Sequence, residues 1–392
     1  MKRSDDAGPP RVLYLLTDEI SAVLVRGQLG FLVGQGFQVA AATRLVTPGA
    51  PKPGAWDDGV RVEHLPFVRE PSPWRDLRAL WATIRLIRRL RPDIVNASTP
   101  KAGLLGMIAA RVCRVPVRVY VVRGFRFETA TGWRRGLFRW LERVAGGAAS
   151  QVVFNSASLM AVGELNGVVG ADGGEVIGAG SGNGIDVARF ADRALPARAE
   201  ARRQLGVPDD ALVVGFVGRF THDKGIADLV HAVNSLRATR PDLHLLLVGQ
   251  FEDGDPVPTD VVAAIEGGYH VTVVPWLEHT GVAYRAMDVL AFPSYREGLP
   301  NVPLEAQLCR VPVVGYAATG TVDAVRDGAT GVLVPTGDES AFAEALAELV
   351  DDPARRAELG AEGADWVRAT FDREQVWNGW FDRYLRWLTS WS

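Results

Sequence analysis

Two basic residues in the second half of the chain stand where phosphate-binding groups are expected. Arg219 follows Gly218 directly after the apolar segment 213–217, and Lys224 lies five positions further on, where a helical pattern starts with Asp223 as its predicted N-cap. If the apolar segment is a strand of a parallel sheet, both cations lie at its carboxyl end, next to the positive end of a helix. Such a pair suits a diphosphate. The alternative is a pair of solvated loop cations, because lysine and arginine are common on loops.

Two glutamates follow a second apolar segment, residues 289–292. Glu297 lies in the predicted loop, and Glu305 comes eight positions later, inside a helix expected to begin near Pro300. At this separation the two carboxylates cannot contact one small group. One can bind a sugar near the start of the helix, while the other reaches a more distant pair of hydroxyls. The alternative is a turn residue followed by a surface helix residue.

Short apolar segments alternate with helical patterns along most of the chain. Continuous Val, Ile and Leu are typical of strands buried on both faces, which occur in parallel sheets covered by helices. The predicted strands are residues 11–16, 37–42, 93–95, 117–122 and 151–154 in the first half, and 211–217, 244–248, 271–274, 289–292, 311–314 and 331–334 in the second. Two such series predict two doubly wound α/β domains.

The predicted domain boundary lies in the polar, alanine-rich segment near residues 190–206, which follows a glycine-rich stretch at 178–184. The predicted domains are therefore 1–192 and 206–370. Residues 371–392 form a predicted terminal helix with aromatic residues at nearly helical spacing. A helix so apolar on one face must pack against the protein, and we expect it to cross back to the first domain.

The arrangement of these motifs resembles the retaining glycosyltransferases of family 4, which have the GT-B fold. The resemblance rests on Gly218-Arg219 with Lys224-Gly225, and on Glu297 with Glu305. The stretches 99–106, 128–132, 180–186 and 298–302 resemble one branch of the family, whose members build capsule, O-antigen and lipid-linked oligosaccharides. The resemblance extends from about residue 11 to 370 and implies two Rossmann-like domains that face a cleft.

The resemblance assigns a role in donor binding to each residue of the second-half motifs. Arg219 and Lys224 would bind the diphosphate, Glu297 the hydroxyls of the sugar, and Glu305 the hydroxyls of the nucleotide ribose. Arg219, Lys224 and Glu297 are the implied catalytic set. The resemblance adds three further groups to the donor site. Gly218 precedes Arg219, and the main chain of Leu299, Pro300 and Asn301 would lie near the phosphates. Trp276 belongs to the segment 275–277, which would hold the base.

The acceptor is expected to bind to the first domain. Thr17 and Ser21 follow the first predicted strand, and the resemblance places this segment opposite the acceptor. The other predicted acceptor-side residues are Lys101, Arg123 and Arg126. Relatives often have histidine where this chain has Asn96, so the acceptor side departs from the family pattern at that position.

The implied reaction moves a sugar from a nucleotide-diphosphate sugar to an acceptor, with retention of configuration. UDP and an N-acetylhexosamine are the expected donor components, and a glycosyl or polyprenyl-diphosphate-linked molecule is the expected acceptor. The two cations and the helix amides would stabilise the charge that develops on the departing diphosphate, and the leaving phosphate would take the proton of the acceptor hydroxyl. Two alternatives stay open: a nucleotide-sugar epimerase of similar fold, and a non-catalytic sugar-nucleotide-binding partner of another enzyme.

Composition excludes several other classes of protein. The formal net charge of −3 argues against a general nucleic-acid binder. The two cysteines, Cys113 and Cys309, are too few for a disulfide framework and predict a reducing, cytoplasmic location. No metal and no cofactor is predicted. Asp253-Gly254-Asp255 resembles a metal-binding motif, but its glycine- and proline-rich surroundings indicate a turn.

Residues 69–143 contain 17 Lys and Arg but five Asp and Glu, interleaved with aromatic residues. Basic and aromatic residues together suit the inner, anionic face of a membrane. They equally suit the diphosphate of a polyprenyl acceptor. The remaining alternative is a solvated helix face whose aromatic side chains lie in the core.

Overall fold

The computed structural model describes residues 8–46, 54–68, 72–170, 173–252 and 254–390. The chain divides into two compact units, of which the first combines residues up to Gly184 with those from Arg373 onward, and the second spans Ile185–Asp372. The segment 185–205 groups with the second unit because Ile185 forms a bridge with Asp372, and because a helix at Arg198–Leu205 packs on the second unit's own helix Gly281–Ala286.

The first unit is a parallel sheet of seven strands with helices between them. The strands are β1 (Arg11–Asp18), β2 (Gln38–Arg44), β3 (Arg61–His64), β4 (Ile94–Ala97), β5 (Val117–Val122), β6 (Gln151–Phe154) and β7 (Gly174–Val176), in the order β3-β2-β1-β4-β5-β6-β7. The helices are α1 (Gln28–Gly34), α2 (Pro73–Leu90), α3 (Pro100–Val112), α4 (Gly132–Ala148) and α5 (Ala157–Leu165). A 3₁₀ helix occupies Glu19–Val25.

The second unit is a parallel sheet of six strands. They are β8 (Leu212–Val217), β9 (Leu243–Val248), β10 (Val271–Val274), β11 (Val289–Phe292), β12 (Val313–Tyr316) and β13 (Gly331–Val334), in the order β10-β9-β8-β11-β12-β13. Its helices are α6 (Arg198–Leu205), α7 (Ile226–Leu236), α8 (Thr259–Glu266), α9 (Gly281–Ala286), α10 (Asn301–Leu308), α11 (Thr321–Ala324), α12 (Glu339–Asp351) and α13 (Pro353–Thr370). The strand order reverses direction between β8 and β11, which is where ligands bind in open α/β sheets.

The last helix, α14 (Arg373–Ser390), packs on the first unit. Its buried residues Trp380, Tyr384 and Trp387 join the core cluster formed by β1, β2 and α1. The Tyr384 hydroxyl lies 2.7 Å from the Tyr14 hydroxyl and accepts a hydrogen bond of 2.7 Å from Asn96 Nδ2. Asn96 therefore ties the terminal helix to β4.

Tyr120 on β5 and Glu142 on α4 form a buried hydrogen-bonded pair in the first unit, in which the phenol donates to Glu142 Oε2. Burial raises the pKa of Glu142 from 4.5 to about 7, although the bond from Tyr120 opposes the shift. The folded state therefore binds this proton more tightly than the unfolded state, and its contribution to stability is lost as the pH rises from about 4.5 through about 7.

We expect Glu142→Gln to remove this loss of stability. A shift from 4.5 to about 7 corresponds to about 3 kcal/mol, so the wild type should lose about that much relative to the variant between pH 4.5 and pH 8. Urea unfolding followed by tryptophan fluorescence measures both proteins across this range. Parallel stability curves for the two proteins would contradict the prediction.

None of the helices in the described part of the chain combines the length and the apolar composition that crossing a membrane requires.

Candidate active site

The loop after β8 carries the two predicted diphosphate-binding cations. The amide of Gly218 donates to Val248 O at 2.9 Å, and the amide of Phe220 donates to Gln250 O at 2.8 Å, so the loop is pinned to the end of β9. Lys224 closes a short 3₁₀ turn, and α7 begins only at Ile226. The N-cap position of α7 belongs to Gly225, so the prediction that Asp223 caps this helix was wrong. The Asp223 carboxylate instead pairs with Arg296 at 2.5 Å.

Gly225 allows this loop to touch the loop that follows β11. Its φ angle of +67° lies in the left-handed region, and a Cβ atom at this position would stand 2.1 Å from the carbonyl oxygen of Pro293. The contact is reinforced by the amide of Tyr295, which donates to Asp223 O at 3.0 Å. The glycine of the Lys-Gly pair is therefore required by the close approach of two backbones.

This approach brings Lys224 and Glu297 together across 73 positions of sequence. The ammonium group of Lys224 forms an ion pair with Glu297 Oε1, which also accepts a hydrogen bond of 2.8 Å from the Ser294 hydroxyl. The two side chains are only 20% and 14% exposed. Two residues selected from separate sequence motifs therefore form one contact at the carboxyl edge of the sheet.

Arg219 lies further from the core, with half of its side chain exposed, and pairs with Glu252 on the loop after β9. Glu252 was not selected from the sequence, although its position just beyond a predicted strand could have indicated it. Both predicted diphosphate-binding cations thus contact carboxylates in the structure.

Glu305 has surroundings of its own, in the middle of α10. The helix begins at Asn301 with Pro300 as N-cap, which agrees with a start predicted near Pro300. The Glu305 Oε2 atom accepts hydrogen bonds from Thr280 at 3.0 Å and from Tyr284 at 2.9 Å. Burial raises the pKa of Glu305, while these two hydrogen bonds oppose the rise. Sequence reasoning missed both hydroxyl residues, because neither belongs to a motif.

The remaining predicted donor residues lie at the same edge of the sheet but differ in burial. Leu299 and Pro300 are buried and Asn301 is exposed. Trp276 is 75% exposed, whereas the neighbouring Pro275 lines a cavity of about 510 Å³ beside the ends of β8, β9 and β10. The structure therefore places Pro275 at a cavity and the side chain of Trp276 at the surface.

The predicted acceptor residues lie in the first unit, near the ends of β1, β4 and β5. Thr17 is joined to Thr99 by a hydroxyl contact of 2.7 Å, because β1 and β4 are neighbours. The Ser21 hydroxyl donates to the Asp18 carboxylate at 2.9 Å. Lys101 pairs with Asp76 at 2.8 Å, at the start of α3.

The two predicted acceptor-side arginines have different surroundings. Arg123 donates to Leu24 O at 3.3 Å, and burial lowers the pKa of its guanidinium to about 10. Arg126 is exposed and lies over the ring of Phe138, at 5.2 Å from the centroid.

Metal-binding residues do not cluster in the described part of the chain, where no group of three or more His, Cys, Asp or Glu side chains could hold an ion. Of the metal-like motif, Asp253 lies outside the described residues. Asp255 accepts a hydrogen bond of 2.8 Å from the amide of Asp223, so it stabilises the turn that carries Lys224.

Comparison with known proteins identifies the family. Residues 197–366 match the family model of glycosyl transferases group 1, and residues 22–164 match that of the glycosyl transferase 4-like domain. The capsular polysaccharide biosynthesis glycosyltransferase CapM of Staphylococcus aureus is 30% identical, and the match covers 94% of each chain. The chain belongs to the family 4 glycosyltransferases of GT-B fold. The glycosyltransferase class and the two Rossmann-like domains predicted from the sequence are confirmed.

A second relative and a solved structure are also similar to this glycosyltransferase. A D-inositol 3-phosphate glycosyltransferase of Kineococcus radiotolerans is 38% identical over 85% of this chain and 82% of its own. The structure of Anabaena Alr3699/HepE in complex with UDP and glucose superposes with a TM-score of 0.76 and 19% identity, covering 96% of this chain and all of the other. The latter likeness supports the fold alone.

Proposed function

We propose that this glycosyltransferase binds a UDP-sugar at the carboxyl edge of the second unit's sheet. It then transfers the sugar, with retention of configuration, to a glycosyl or lipid-linked acceptor bound to the first unit. The observation that carries the proposal is the meeting of the loops after β8 and β11, which pairs Lys224 with Glu297 at the point where the strand order reverses. A UDP donor is further supported by the fold that the chain shares with a protein crystallised with UDP and glucose.

The negative charge that develops on the leaving diphosphate determines the roles of these residues. Transfer breaks the bond between the anomeric carbon and the diphosphate oxygen, whose electron pair stays on the leaving group. Arg219 and Lys224 neutralise this charge after exchanging their carboxylate partners for phosphate oxygens. Glu297, released from Lys224 but still bonded to Ser294, accepts hydroxyls of the sugar. The acceptor hydroxyl attacks from the face that the diphosphate leaves and gives its proton to a phosphate oxygen, which retains the configuration.

The most specific part of the proposal is that the donor sugar is an N-acetylhexosamine and that the acceptor is lipid-linked. Both are supported by the likeness to CapM, a glycosyltransferase of capsular polysaccharide biosynthesis. The residues proposed to face the acceptor are Thr17, Ser21, Lys101, Arg123 and Arg126. A cytoplasmic location is supported by Cys113 and Cys309, both of which are free thiols.

A panel of nucleotide sugars tests the proposal directly. Binding is first measured by thermal shift, because a ligand of the folded state raises its apparent stability. Nucleotide release is then measured with and without polyprenyl-diphosphate glycosides, and with inositol 3-phosphate as a soluble acceptor. Release that depends on the lipid-linked acceptor and yields the retained anomer is expected. Release of free sugar without any acceptor would favour the epimerase, and binding without any release would favour the non-catalytic binding partner.

Contact with an anionic membrane forms part of the proposal, and two helices of the first unit support it. Helices α2 and α4 flank α3 and start at the carboxyl edge of the sheet, since each returns the chain to the next parallel strand. On each of the two helices, two tryptophans and a leucine are exposed, and they follow one another at intervals of three or four residues. This tryptophan face consists of Trp74, Leu77 and Trp81 on α2 and of Trp133, Leu137 and Trp140 on α4.

Exposed arginines accompany the tryptophan face. Six of them, for which no ion pair is recorded in the described part of the chain, are Arg75, Arg78, Arg85, Arg134, Arg135 and Arg139. The acidic residues of the two helices do not neutralise them, because Asp76 pairs with Lys101 and Glu142 is buried against Tyr120. Apolar rings that insert between lipids, next to unpaired cations, suit an anionic bilayer surface.

We expect the protein to sediment with phosphatidylglycerol vesicles at least about tenfold more strongly than with phosphatidylcholine vesicles, because each basic residue near such a surface contributes about 1 kcal/mol. High salt should release it. Replacing the four tryptophans of the tryptophan face by serine should abolish sedimentation. Leu165→Ser, an equally exposed apolar position in the same unit, is the matched control. Equal binding to both kinds of vesicle would defeat this part of the proposal.

A further inference from the structure

We infer that Thr280 and Tyr284 form a hydroxyl clamp that makes Glu305 select ribonucleotide over deoxyribonucleotide donors. The inference rests on the proposed function, in which Glu305 binds the ribose hydroxyls of the donor. Thr280 and Tyr284 act through Glu305 and are therefore positioning residues.

Both hydroxyls of the clamp bind the same carboxylate oxygen of Glu305. Thr280 Oγ1 and Tyr284 Oη both donate to Oε2 of Glu305, at 3.0 and 2.9 Å. For Oε1, the other oxygen of the same carboxylate, no hydrogen bond is recorded within the described residues. One oxygen is thus used for orientation, and the other stays available as an acceptor.

The clamp is rigid because its larger member cannot move. Tyr284 is completely buried in α9, which packs against α10, the helix that carries Glu305. The ring of Phe190 lies against that of Tyr284, with centroids 6.2 Å apart. Thr280 stands at the N-cap position of α9, so both hydroxyls are attached to the same short helix. Rotating the carboxylate would break two hydrogen bonds made to a fixed frame.

Rigidity is what turns Glu305 into a selective group. A ribose offers two neighbouring hydroxyl donors, and a 2′-deoxyribose offers one. A freely rotating carboxylate could turn toward the remaining hydroxyl or toward water, and would lose little when the 2′-hydroxyl is missing. A carboxylate held by Thr280 and Tyr284 cannot turn to compensate, so its acceptor atom loses the hydrogen bond of the 2′-hydroxyl in the deoxyribonucleotide complex.

The clamp also opposes protonation of the carboxylate. The groups that act on Glu305 are the hydroxyls of Thr280 and Tyr284 and the guanidinium of Arg189, all of which lower its pKa, while burial raises it. Cys309, one turn along α10, has a pKa raised to about 12 and is neutral at ordinary pH. Removing the hydroxyls should therefore let Glu305 take up a proton at a higher pH, and a protonated carboxyl is a poor acceptor for ribose.

The test compares the dissociation constants of UDP and 2′-deoxy-UDP by calorimetry on the full chain, with GDP and 2′-deoxy-GDP as a second pair. Tyr284→Phe and Thr280→Val should weaken UDP binding while changing 2′-deoxy-UDP binding little, so that the ratio between them falls toward that of Glu305→Ala. The loss of UDP binding on acidification should also begin at a higher pH in both variants than in the wild type. Tyr120→Phe breaks another buried tyrosine–glutamate hydrogen bond, in the first unit, and should leave the ratio unchanged.

The outcomes separate the clamp from the function on which it rests. If Glu305→Ala keeps the wild-type ratio, the ribose role of Glu305 is wrong. If Glu305→Ala lowers the ratio but neither Tyr284→Phe nor Thr280→Val does, the clamp is overturned while the role of Glu305 stands. An equal loss of affinity for both nucleotides in the two variants would also overturn it, because a purely structural role predicts that result. Thr280→Val keeps the test open if Tyr284→Phe does not fold.

Discussion

Arg219→Ala and Lys224→Ala should each lower kcat by about 100- to 1000-fold, because removing one preorganised group that stabilises developing charge typically costs about 3 to 4 kcal/mol in barrier. Both cations act on the charge of the departing diphosphate, so the loss should appear in kcat as well as in kcat/KM. We expect the larger loss for Lys224, whose side chain is 20% exposed, against 50% for Arg219. Shielding from water strengthens an electrostatic interaction.

Steady-state release of the nucleotide from the preferred donor measures both variants. Arg326→Ala is the matched control, because Arg326 forms a comparably exposed ion pair with Glu362 in the same unit. Lys224→Ala also removes the ion-pair partner of Glu297, whose carboxylate then keeps the hydrogen bond from Ser294. The folding of this variant should therefore be checked by thermal unfolding. A kcat within threefold of the wild type in both folded variants would remove the two cations from the proposed mechanism.

Gly225→Ala should destabilise the second unit by at least about 3 kcal/mol and abolish turnover. The alanine would occupy a left-handed conformation, which costs roughly 1 to 2 kcal/mol, and its Cβ would stand 2.1 Å from Pro293 O. Relief of that contact requires the loops after β8 and β11 to separate. The separation would also pull Lys224 away from Glu297. The losses of stability and of activity should therefore have the same structural cause.

Gly206→Ala isolates the conformational part of this effect. Gly206 has φ +71° and ψ 29°, nearly the same as the +67° and 27° of Gly225, but a Cβ there would meet no atom within 4 Å. We expect it to cost only the conformational part, about 1 to 2 kcal/mol, and to leave kcat unchanged. Denaturant unfolding and steady-state kinetics of the two variants provide the comparison. Equal losses of stability in both would show that the approach of the two loops is not the cause.

The strands that sequence reasoning missed were the ones at the edges of the first sheet. The interior strands are continuous apolar segments, because a strand between two helical layers is buried on both faces. Strands β3 and β7 are short and only partly buried, and they contain charged residues. Nothing in their composition distinguishes them from loops, and they become strands only because a neighbouring strand supplies hydrogen-bond partners.

The candidate site was predictable to the extent that its residues belong to motifs. Arg219, Lys224, Glu297 and Glu305 were selected because each has a fixed distance from a recognisable strand. Their partners Glu252, Thr280 and Tyr284 were not, because no pattern marks a hydroxyl or a carboxylate that becomes important only through a neighbour. The contact between Asn96 and Tyr384 spans 288 positions and has no local signal either.

The amino-acid sequence by itself determined that the chain forms two parallel α/β sheets, that cations and carboxylates follow particular strands, and that the terminal helix has an apolar face. Each of these properties is local, because it depends on the side chains of a few consecutive residues. Only the tertiary structure decided which carboxylate each cation meets, which oxygen of Glu305 accepts the hydroxyls of Thr280 and Tyr284, and where the terminal helix packs. These contacts join residues far apart in the chain, and they exist because parallel strands bring their carboxyl ends to a common edge.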